Sequence, residues 1–284
     1  MTLSLIPDYE LAKHTWLGVG GKADFFAIVE TLEDLKDFLK QNKLPVMILG
    51  GGSNILIRNG GIEGVVLKLG KGFQDIQVKD DLLICGAGAK LSKIAQTALQ
   101  NNLTGFEFLS DIPGTLGGGL SSNAGAFGQS LSDILVKINA VDYKGQEKQF
   151  TDFFDWSYRH NPLKDLIFTG AVLKAKSVGI NDEIKAVMQD YHIRRKTTQP
   201  QGVRTAGSTF KNPKEKSAGF LLEKSGLQGY KENGAEMSAK HANFLINHHA
   251  TGNQLEDFVL KMQKIVFEKQ GILLEMEIKC LGKR

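Results

Sequence analysis

The sequence predicts an α+β fold, and three regions of the chain support that prediction. Residues 24–69 alternate strand-like and helical patterns, residues 70–177 are rich in predicted strands and glycine, and residues 197–284 mix helices with strands. The chain has 284 residues, of which 42% are hydrophobic and 23% charged, so it can bury a substantial core without disulfides or metals. We predict three parts with boundaries at residues 1–69, 70–196 and 197–284.

The first region, residues 24–69, has the pattern strand, helix, strand, strand; it begins with a buried-strand run at residues 24–29, and a short apolar strand lies at residues 45–49. Between them, large apolar residues recur at the spacing of a helix that buries one face. These residues are Leu32, Leu35, Phe38 and Leu39. A strand, a helix and a further strand in this order are typical of an α/β unit.

The second region combines strands with an unusually long glycine-rich tract. Apolar runs predict strands at residues 82–86, 134–143 and 166–174, and residues 91–101 have the pattern of an amphipathic helix. The glycine-rich tract covers residues 111–128. Glycine lowers the stability of both helices and strands, so we expect this tract to be loop or tight turn throughout.

The third region follows a predicted helix at residues 181–196. It contains predicted helices at residues 218–224 and 254–270 and predicted strands at residues 242–247 and 272–281. The longer helix has a regular apolar stripe, which indicates a face that packs against a core.

Charge and cysteine content narrow the function classes. The net charge of +4 is spread along the chain, which argues against nucleic-acid binding and is compatible with a small anionic substrate. Cys85 and Cys280 lie in apolar, strand-like runs, so we predict two reduced, buried thiols. No cysteine or histidine spacing indicates a metal site. The sequence has no apolar run of about 18 residues and no signal pattern, so we expect a cytoplasmic protein without a membrane span.

A first candidate binding loop comes directly after the apolar strand at residues 45–49. It consists of Gly50, Gly51, Gly52, Ser53 and Asn54. Glycines let a backbone approach a diphosphate closely, their N–H groups can form an anion nest, and the serine and asparagine side chains can add donors. Taken alone, the triple glycine is explained more simply as a turn that ends a strand. It is no dinucleotide fingerprint, because no GxGxxG opens a helix.

A second donor-rich loop lies within the glycine-rich tract. Its candidate cofactor-binding residues are Ile112, Pro113, Gly114, Thr115, Gly118, Asn123, Ala124, Gly125 and Ala126. Two such loops, each near the end of a strand, could clamp one extended diphosphate cofactor between them.

The two loops, together with residues 18–21, resemble the phosphate- and isoalloxazine-binding loops of the vanillyl-alcohol-oxidase-type (PCMH-like) flavin fold. The set looks like the N-terminal half of the UDP-N-acetylenolpyruvoylglucosamine reductase family. The C-terminal half carries four further resemblances to that family. They are its Tyr-Arg motif at residues 156–160, its serine motif at 206–213, its substrate-domain signature at 234–236, 240–244 and 247, and its glutamate strand at 274–279. Each motif alone is weak, whereas the ordered set is specific.

This resemblance implies a two-part FAD-binding fold followed by a C-terminal α+β substrate-binding domain. It implies non-covalent FAD as the cofactor and NADPH as a co-substrate. The implied reaction reduces the enolpyruvyl ether of UDP-N-acetylglucosamine to UDP-N-acetylmuramate for peptidoglycan synthesis. The partner is then a small UDP-sugar, and we expect a monomer that binds no nucleic acid. An FAD-dependent oxidase of the same fold and a non-catalytic nucleotide-binding module are the alternatives.

The resemblance also implies roles for individual residues. Arg159 would grip the substrate carboxylate, Ser208 would donate the proton, and Glu277 would act beside them. Tyr158, Lys211 and Asn212 would contact the substrate. Without the resemblance, Arg159 is simply a solvated loop arginine, Ser208 a turn or capping serine, and Glu277 part of an exposed strand face.

Three features of the site stay open or depart from the family. Glu275 and Glu277 are two residues apart, so both would point to the same side of the predicted strand. Glu277 is chosen because it matches the second glutamate of the motif. The basic residue that would hold the substrate diphosphate is one of Arg194, Arg195, Lys196 and Arg204. Gly119 stands where the family usually has a bulkier residue, so no cofactor contact is assigned to the serines that follow. The segment between Arg159 and Ser208 is short, which indicates the family type without an extra tyrosine-bearing loop.

Overall fold

The computed structural model describes residues 3–153 and 155–284. The chain divides into two compact units. Unit 1 comprises Met1–Leu5, Phe26–Gly51 and Val66–Arg194, and unit 2 comprises Ile6–Phe25, Gly52–Val65 and Arg195–Arg284. The three-part division predicted from the sequence stays a prediction.

The described residues form six α-helices, four short 3-10 helices and seventeen strands. The α-helices are α1 (Leu32–Gln41), α2 (Leu91–Gln100), α3 (Leu116–Leu120), α4 (Asn181–Thr198), α5 (Ala218–Lys224) and α6 (Gly252–Gln270). The 3-10 helices are Ala12–His14, Lys71–Phe73, Glu107–Leu109 and Leu131–Asp133.

The strands follow in chain order. They are β1 (Ile6–Glu10), β2 (Lys22–Val29), β3 (Val46–Ile48), β4 (Ile55–Ile57), β5 (Ile62–Leu69), β6 (Ile76–Lys79), β7 (Leu82–Gly86), β8 (Gly125–Ala126), β9 (Gln129–Ser130), β10 (Leu135–Asp142), β11 (Glu147–Phe150), β12 (Leu166–Lys174), β13 (Thr205–Ser208), β14 (Lys231–Glu232), β15 (Ala235–Met237), β16 (Phe244–Asn247) and β17 (Lys279–Leu281). One four-stranded sheet has the order β1-β2-β5-β3.

Unit 1 contains an antiparallel five-stranded sheet with the order β11-β10-β12-β7-β6. Strands β10 and β12 pair along most of their length, with Ile138 opposite Ala171. The apolar face of α2, with Ile94 and Ala98 fully buried, belongs to the core that also contains these strands. The predicted helix and the three predicted strands of this region are therefore confirmed.

Unit 2 contains an antiparallel four-stranded sheet with the order β13-β16-β15-β14, and a parallel pair formed by β17 and β4. Helix α6 packs its apolar stripe into the core of this unit. Thr251 begins the helix with a capping box that includes Gln254, and Gly271 ends it at a left-handed φ of 70°. The predicted amphipathic helix is confirmed, with two additional residues at its N-terminus.

The glycine-rich tract does not consist of loops and turns alone, so that prediction is wrong for part of it. Residues Leu116–Leu120 form α3, and both terminal leucines are fully buried. A Cβ on Gly119 would lie 2.8 Å from Cδ1 of Leu131, and a Cβ on Gly117 would lie 3.2 Å from Cβ of Ala87. Close packing therefore outweighs the low helix propensity of glycine in this turn.

The predicted strand at residues 272–281 is also largely wrong. Only Lys279–Leu281 form a strand, which pairs with β4. The preceding residues follow an irregular path with one bridge, between Met276 and Phe210. Alternation of apolar residues predicted a longer strand, but the main-chain partners of this segment are single residues rather than a neighbouring strand.

No helix in the described ranges is long and apolar enough to cross a membrane. Within the same ranges, no group of three or more histidine, cysteine, aspartate or glutamate side chains could hold a metal ion. Both cysteines are free thiols, with Cys85 buried and Cys280 half-buried. Burial raises the pKa of Cys85 to about 12 and that of Cys280 to about 11, which keeps both thiols protonated at neutral pH.

Candidate functional site

In unit 1 the two glycine loops lie side by side. A Cβ on Gly51 would lie 2.7 Å from Cα of Gly114, a distance too short for any side chain. A Cβ on Gly50 would lie 3.2 Å from Oγ1 of Thr115, whose hydroxyl accepts a hydrogen bond from Gly118 N at 3.5 Å. Gly114 has a φ of 110°, which favours glycine. The loops thus approach each other backbone to backbone, and this close approach leaves glycine as the fitting residue at positions 51 and 114.

Residues 52–54, which continue the first glycine loop, belong to unit 2. Gly52 has a φ of 68°, and a Cβ there would overlap the carbonyl oxygen of His14. Its own carbonyl accepts a hydrogen bond from Trp16 N at 3.0 Å. Asn54 donates through Nδ2 to the carbonyl of Glu277 at 3.2 Å. Through Asn54, the polar end of this loop is therefore hydrogen-bonded to the main chain of Glu277, a residue with a predicted catalytic role.

Asn123 anchors the second half of the glycine-rich tract, where β8 and β9 form a short hairpin. Its side chain is buried, and its backbone has a left-handed φ of 44°, which asparagine tolerates. Nδ2 donates to Ser132 Oγ at 3.0 Å and to the Ser157 carbonyl at 2.9 Å, while Oδ1 accepts from Ser132 N at 3.0 Å. The amide of Asn123 is thus engaged within the protein, and the main chain that follows it is held by the pairing of β8 with β9.

Arg159 lies in a tight turn beside this hairpin. Its backbone has a left-handed φ of 54°, and Ser157 and His160 pair with each other across the turn. The guanidinium donates through Nη2 to the carbonyl of Gly125 at 3.1 Å and lies 5.0 Å from the ring centroid of Tyr158. Tyr158 is 53% exposed and Arg159 is half-buried, so both residues with predicted substrate roles reach the surface of unit 1.

Ser208 ends strand β13 in unit 2. It pairs with Phe244 of β16 and is half-buried. The preceding Gly207 has a φ of 73°, a conformation that favours glycine and turns the chain directly before the serine. The following Thr209 is fully buried, and its Oγ1 accepts from Leu245 N at 3.0 Å. Ser208 therefore directly follows the left-handed Gly207 and is paired with strand β16.

Glu277 lies next to the serine motif. Its backbone N–H donates to the carbonyl of Thr209 at 2.9 Å, so the glutamate is held beside the residue that follows Ser208. Glu277 is half-buried, whereas Glu275 is exposed and forms an ion pair with Lys211 at 2.5 Å. Glu277 is thus the more buried of the two glutamates, and its assignment over Glu275 stays a prediction.

The residues with predicted substrate contacts in unit 2 are already engaged with the protein. Lys211 donates its backbone N–H to the carbonyl of Glu275 at 2.8 Å in addition to the ion pair. Asn212 is exposed, and its Oδ1 accepts from Ala218 N, the first residue of α5, at 3.0 Å. Lys211 and Asn212 therefore help to define the path of the chain after the serine motif.

The four candidates for holding a diphosphate have different surroundings. Arg194 pairs with Asp190 at 2.8 Å, and Arg195 donates to Gln199 Oε1 at 3.1 Å. Lys196 accepts a bond at its carbonyl from Lys240, and the Arg204 side chain packs against Gly18. No geometric feature selects one of them, so the assignment stays open.

Sequence reasoning missed two buried asparagines that support the predicted residues. Asn161 lies two residues after Arg159 and donates to the carbonyl of Leu120 at 2.8 Å. Asn243 imitates a strand partner for Phe210, because its Nδ2 donates to the Phe210 carbonyl at 2.8 Å and its Oδ1 accepts from Phe210 N at 2.9 Å. Asn243 lies inside the substrate-domain signature and Asn161 directly follows the Tyr-Arg motif, but neither position alone indicates a specific contact.

Each unit therefore brings together a different group of predicted residues. Unit 1 joins the two glycine loops and places the Arg159 turn against the 123–126 loop. Unit 2 joins the end of the first glycine loop, the serine motif and the Glu277 segment. Within the units, the two glycine loops meet backbone to backbone, and the backbone of Glu277 is bonded to the residue that follows Ser208.

Comparisons with known proteins identify one family domain in the N-terminal half of the chain and one at its C-terminal end. Residues 23–151 match the family model of an FAD-binding domain, and residues 199–281 match that of the C-terminal domain of UDP-N-acetylenolpyruvoylglucosamine reductase. The chain is 45% identical to the UDP-N-acetylenolpyruvoylglucosamine reductase of Rickettsia akari (strain Hartford), with 97% of this chain and 95% of that protein covered. The Rickettsia typhi (strain ATCC VR-144 / Wilmington) reductase is 46% identical over the same shares.

A solved structure gives the same result. The crystal structure of UDP-N-acetylenolpyruvylglucosamine reductase from Thermus caldophilus matches with a TM-score of 0.86 and 31% identity, covering 99% of this chain and 100% of that one. The predicted α+β fold, the FAD-binding domain and the FAD cofactor are confirmed. The chain belongs to the UDP-N-acetylenolpyruvoylglucosamine reductase family.

Proposed function

We propose that this protein reduces the enolpyruvyl ether of UDP-N-acetylglucosamine to UDP-N-acetylmuramate, with NADPH as the electron donor, in peptidoglycan precursor synthesis. The observation that carries this proposal is the junction of the serine motif with the Glu277 segment through Thr209. That junction supplies a hydroxyl and a carboxylate in a family whose named members reduce this class of substrate.

The glycine loops fit FAD because the approach of Gly51 to Gly114 leaves backbone rather than side chains at their contact. Bare backbone can come close to a diphosphate, as a flavin dinucleotide requires. Neither loop contains a cysteine or a histidine, so the loop residues offer no evident nucleophile for covalent attachment. Bound FAD supplies the hydride for this reaction.

Arg159 is proposed to stabilise the negative charge that develops during the reaction. Addition of hydride to the terminal CH2 carbon breaks the carbon–carbon double bond and leaves an electron pair at the carbon beside the carboxylate. That charge delocalises into the carboxylate, where a planar and permanently charged guanidinium can bind both oxygens. Tyr158, which lies against Arg159, would contact the same substrate.

Ser208 is the proposed proton donor. Its O–H would give a proton to the carbon that holds the electron pair, and a new C–H bond would complete the lactyl ether. A serine hydroxyl is a weak acid, so it can act only on a strongly basic enolate and only from a fixed position. The left-handed Gly207 and the pairing of Ser208 with Phe244 support such a fixed position.

Glu277 is proposed to act beside Ser208. Its backbone N–H is bonded to the carbonyl of Thr209, the residue after the serine, which supports a place for Glu277 next to the proton donor. Asn212 and Lys211 complete the proposed substrate contacts. The family resemblance implies that NADPH reacts in the same pocket before the enolpyruvyl substrate enters, and we propose that order here.

Consumption of NADPH by the FAD-loaded protein tests the proposal. We expect oxidation of NADPH to depend on enolpyruvyl-UDP-N-acetylglucosamine and to yield UDP-N-acetylmuramate in equal amount, identified by mass. Oxidation that depends on oxygen and on another alcohol would instead identify an oxidase of the same fold. Binding of UDP-sugars without turnover would indicate a nucleotide-binding module.

Three further properties stay predictions with direct tests. Denaturation should release the flavin into the supernatant if FAD is bound non-covalently. Light scattering of the purified protein should give the mass of a monomer. Fractionation of the producing cells should recover the protein with the cytoplasm, where NADPH and UDP-sugars are available.

A further inference from the structure

We propose that Asn161 and Asn123 are positioning residues that aim Arg159, and that they do so by fastening its turn to the loop of residues 120–125. This inference rests on the role of Arg159 in the proposed function. Neither asparagine needs to touch the substrate, because each acts through the main chain on either side of the arginine.

The turn that carries Arg159 is fastened mainly at its two ends. Across the turn, Ser157 N donates to the His160 carbonyl at 3.3 Å and His160 N donates back at 3.0 Å. Ser157, Tyr158 and His160 are exposed, so the turn stands at the surface. If this bridge alone held the turn, the turn would be mobile and the arginine side chain could adopt many positions.

Asn161 fixes the end of the turn that follows Arg159. Its side chain is 3% exposed. Nδ2 donates to the carbonyl of Leu120 at 2.8 Å, and Oδ1 accepts from Leu163 N at 2.7 Å. Both ends of the amide are therefore engaged in a dry environment, where an unmade hydrogen bond is costly.

Asn123 fixes the end of the turn that precedes Arg159. Its side chain is 1% exposed, and its Nδ2 donates to the carbonyl of Ser157 at 2.9 Å. The other two bonds of this amide go to Ser132, so the bond to Ser157 is the one that connects Asn123 to the turn. One asparagine thus reaches from the loop to the turn, and the other reaches from the turn to the loop.

The guanidinium completes a third connection between the same two segments. Arg159 Nη2 donates to the Gly125 carbonyl at 3.1 Å. The left-handed φ of 54° at Arg159 is uncommon for a residue with a Cβ and persists when the surroundings impose it. Fastening at Ser157 and at Asn161 supplies that constraint, because it fixes the chain on both sides of the arginine.

A bidentate grip on a carboxylate depends on the direction of the guanidinium plane. A displacement of about 1 Å from the reacting geometry can lower a rate by about 100-fold. The asparagines therefore link the cofactor-side loop to the residue that would hold the substrate carboxylate. Their loss should affect ligands that carry this carboxylate and spare ligands that lack it.

Asn161→Ala in the FAD-loaded full chain isolates this effect, with two ligands as probes. Enolpyruvyl-UDP-N-acetylglucosamine carries the carboxylate, and UDP-N-acetylglucosamine lacks it. We expect the affinity for the first ligand, measured by calorimetry, to fall by at least about tenfold, while the affinity for the second stays within about twofold. Reduction of the flavin by NADPH should also stay within about twofold. If Asn161→Ala does not fold, Asn161→Asp keeps the acceptor for Leu163 N and takes its place.

Asn247 provides a matched control in unit 2. It is 4% exposed, its Nδ2 donates to the Leu17 carbonyl at 2.8 Å, and its Oδ1 accepts from Ala250 N at 2.8 Å. Asn247→Ala therefore removes the same pair of bonds from an equally buried place. We expect it to lower the melting temperature without separating the affinities of the two ligands.

A double-mutant cycle with Arg159→Lys decides whether Asn161 acts through the arginine. In the Arg159→Lys background, Asn161→Ala should change the affinity for the enolpyruvyl ligand by less than about threefold. A full effect in that background, or equal weakening of both ligands by Asn161→Ala, would overturn the positioning role. A wild-type protein that binds the two ligands alike and forms no product would contradict the proposed function as well, which separates the two failures.

Discussion

The Arg159 turn and the Ser208 strand are held in place by different kinds of hydrogen bond. The turn is fastened by side chains, through Asn123, Asn161 and the guanidinium itself. Main-chain bonds hold Ser208 and Thr209, through the pairing of Ser208 with Phe244 and the bonds from Thr209 N to the Asn243 carbonyl and from Glu277 N to the Thr209 carbonyl. Side-chain bonds enter only after the serine, at Thr209 Oγ1 and between Asn243 and Phe210. A single substitution can remove a side-chain bond but leaves a main-chain bond in place.

This difference predicts how each region responds to mutation. Near Ser208, a substitution should remove the chemistry of one side chain and leave the geometry intact. Near Arg159, a substitution of a neighbour should disturb the direction of the arginine, even where the neighbour touches no ligand. Substitutions at Ser208 and Arg159 test this contrast, and substitutions at Gly51 and Glu256 sharpen it by probing a backbone contact and an ion pair outside both regions. The expected effects decrease from the first to the last.

Ser208→Ala should have the largest effect. Product formation should fall by about 10²–10⁴-fold, the range for loss of a general acid, while FAD binding and flavin reduction by NADPH remain near normal. Ser208→Cys should retain more activity than alanine because it keeps an acidic proton at nearly the same place. Rapid mixing of reduced enzyme with substrate measures this step. A Ser208→Ala enzyme that forms product at the native rate would assign the proton to water or to Glu277.

Arg159→Lys should have the second largest effect. Lysine keeps the charge but loses the planar fork and the bond from Nη2 to Gly125, so reoxidation by substrate should slow by about 10- to 100-fold. Reduction by NADPH should change much less. Stopped-flow traces of the two half-reactions make this comparison, and equal losses in both would assign a structural or NADPH-binding role to Arg159.

Gly51→Ala tests the contact of the two glycine loops. The new Cβ would lie 2.7 Å from Cα of Gly114, so the loops must separate, and we expect the affinity for FAD to fall by about tenfold. Gly219→Ala is the control, because its Cβ would meet its nearest atom, on His241, at 3.4 Å. Titration of apoprotein with FAD measures both variants. Equal affinities in Gly51→Ala and wild type would show that the loop contact does not shape the cofactor site.

Glu256→Gln should change stability alone. Glu256 is buried in unit 2 and binds Arg58 through two hydrogen bonds, of 2.7 and 2.5 Å, and these bonds hold the pKa of its carboxyl below the ordinary value. The resulting stability is complete above the ordinary carboxyl pKa of about 4.3 and is lost as the pH falls through the lower, folded-state pKa.

The variant should therefore lose about 1–3 kcal/mol of unfolding free energy at pH 7 and should lose less than wild type on acidification. Urea denaturation at pH 7 and at several values below pH 5 measures this difference. Unchanged stability at pH 7 would show that the ion pair of Glu256 with Arg58 contributes little to the unfolding free energy. Reduced product formation at native stability would contradict the prediction that Glu256 has no part in catalysis.

Elements with a strong local pattern were predictable from the sequence. Helices α1 and α6 combine an apolar stripe with capping residues, Thr31 and Thr251, whose side chains accept bonds from the first turn. Strand β1 was not predicted, because its residues are mostly exposed and include Pro7. The helical turn α3 was missed because packing around glycine decides its conformation, and packing leaves no local pattern.

The residues of the site stay predictions. The motifs indicated the glycine loops, Arg159, Ser208 and Glu277, but their proposed roles come from the family resemblance rather than from spacing. The contact of Asn161 with Leu120 joins residues 41 positions apart, and that of Asn243 with Phe210 spans 33 positions. A single asparagine gives no indication of such a distant partner, so the supporting contacts became visible only in three dimensions.

An anaerobic single-turnover experiment tests the central claim most directly. FAD-loaded protein is reduced with one equivalent of NADPH and then mixed, without oxygen, with enolpyruvyl-UDP-N-acetylglucosamine. We predict that the absorbance of oxidised flavin returns and that one equivalent of UDP-N-acetylmuramate forms for each flavin. Flavin that stays reduced until oxygen is admitted, with no UDP-N-acetylmuramate formed, would contradict the account and would identify an oxidase.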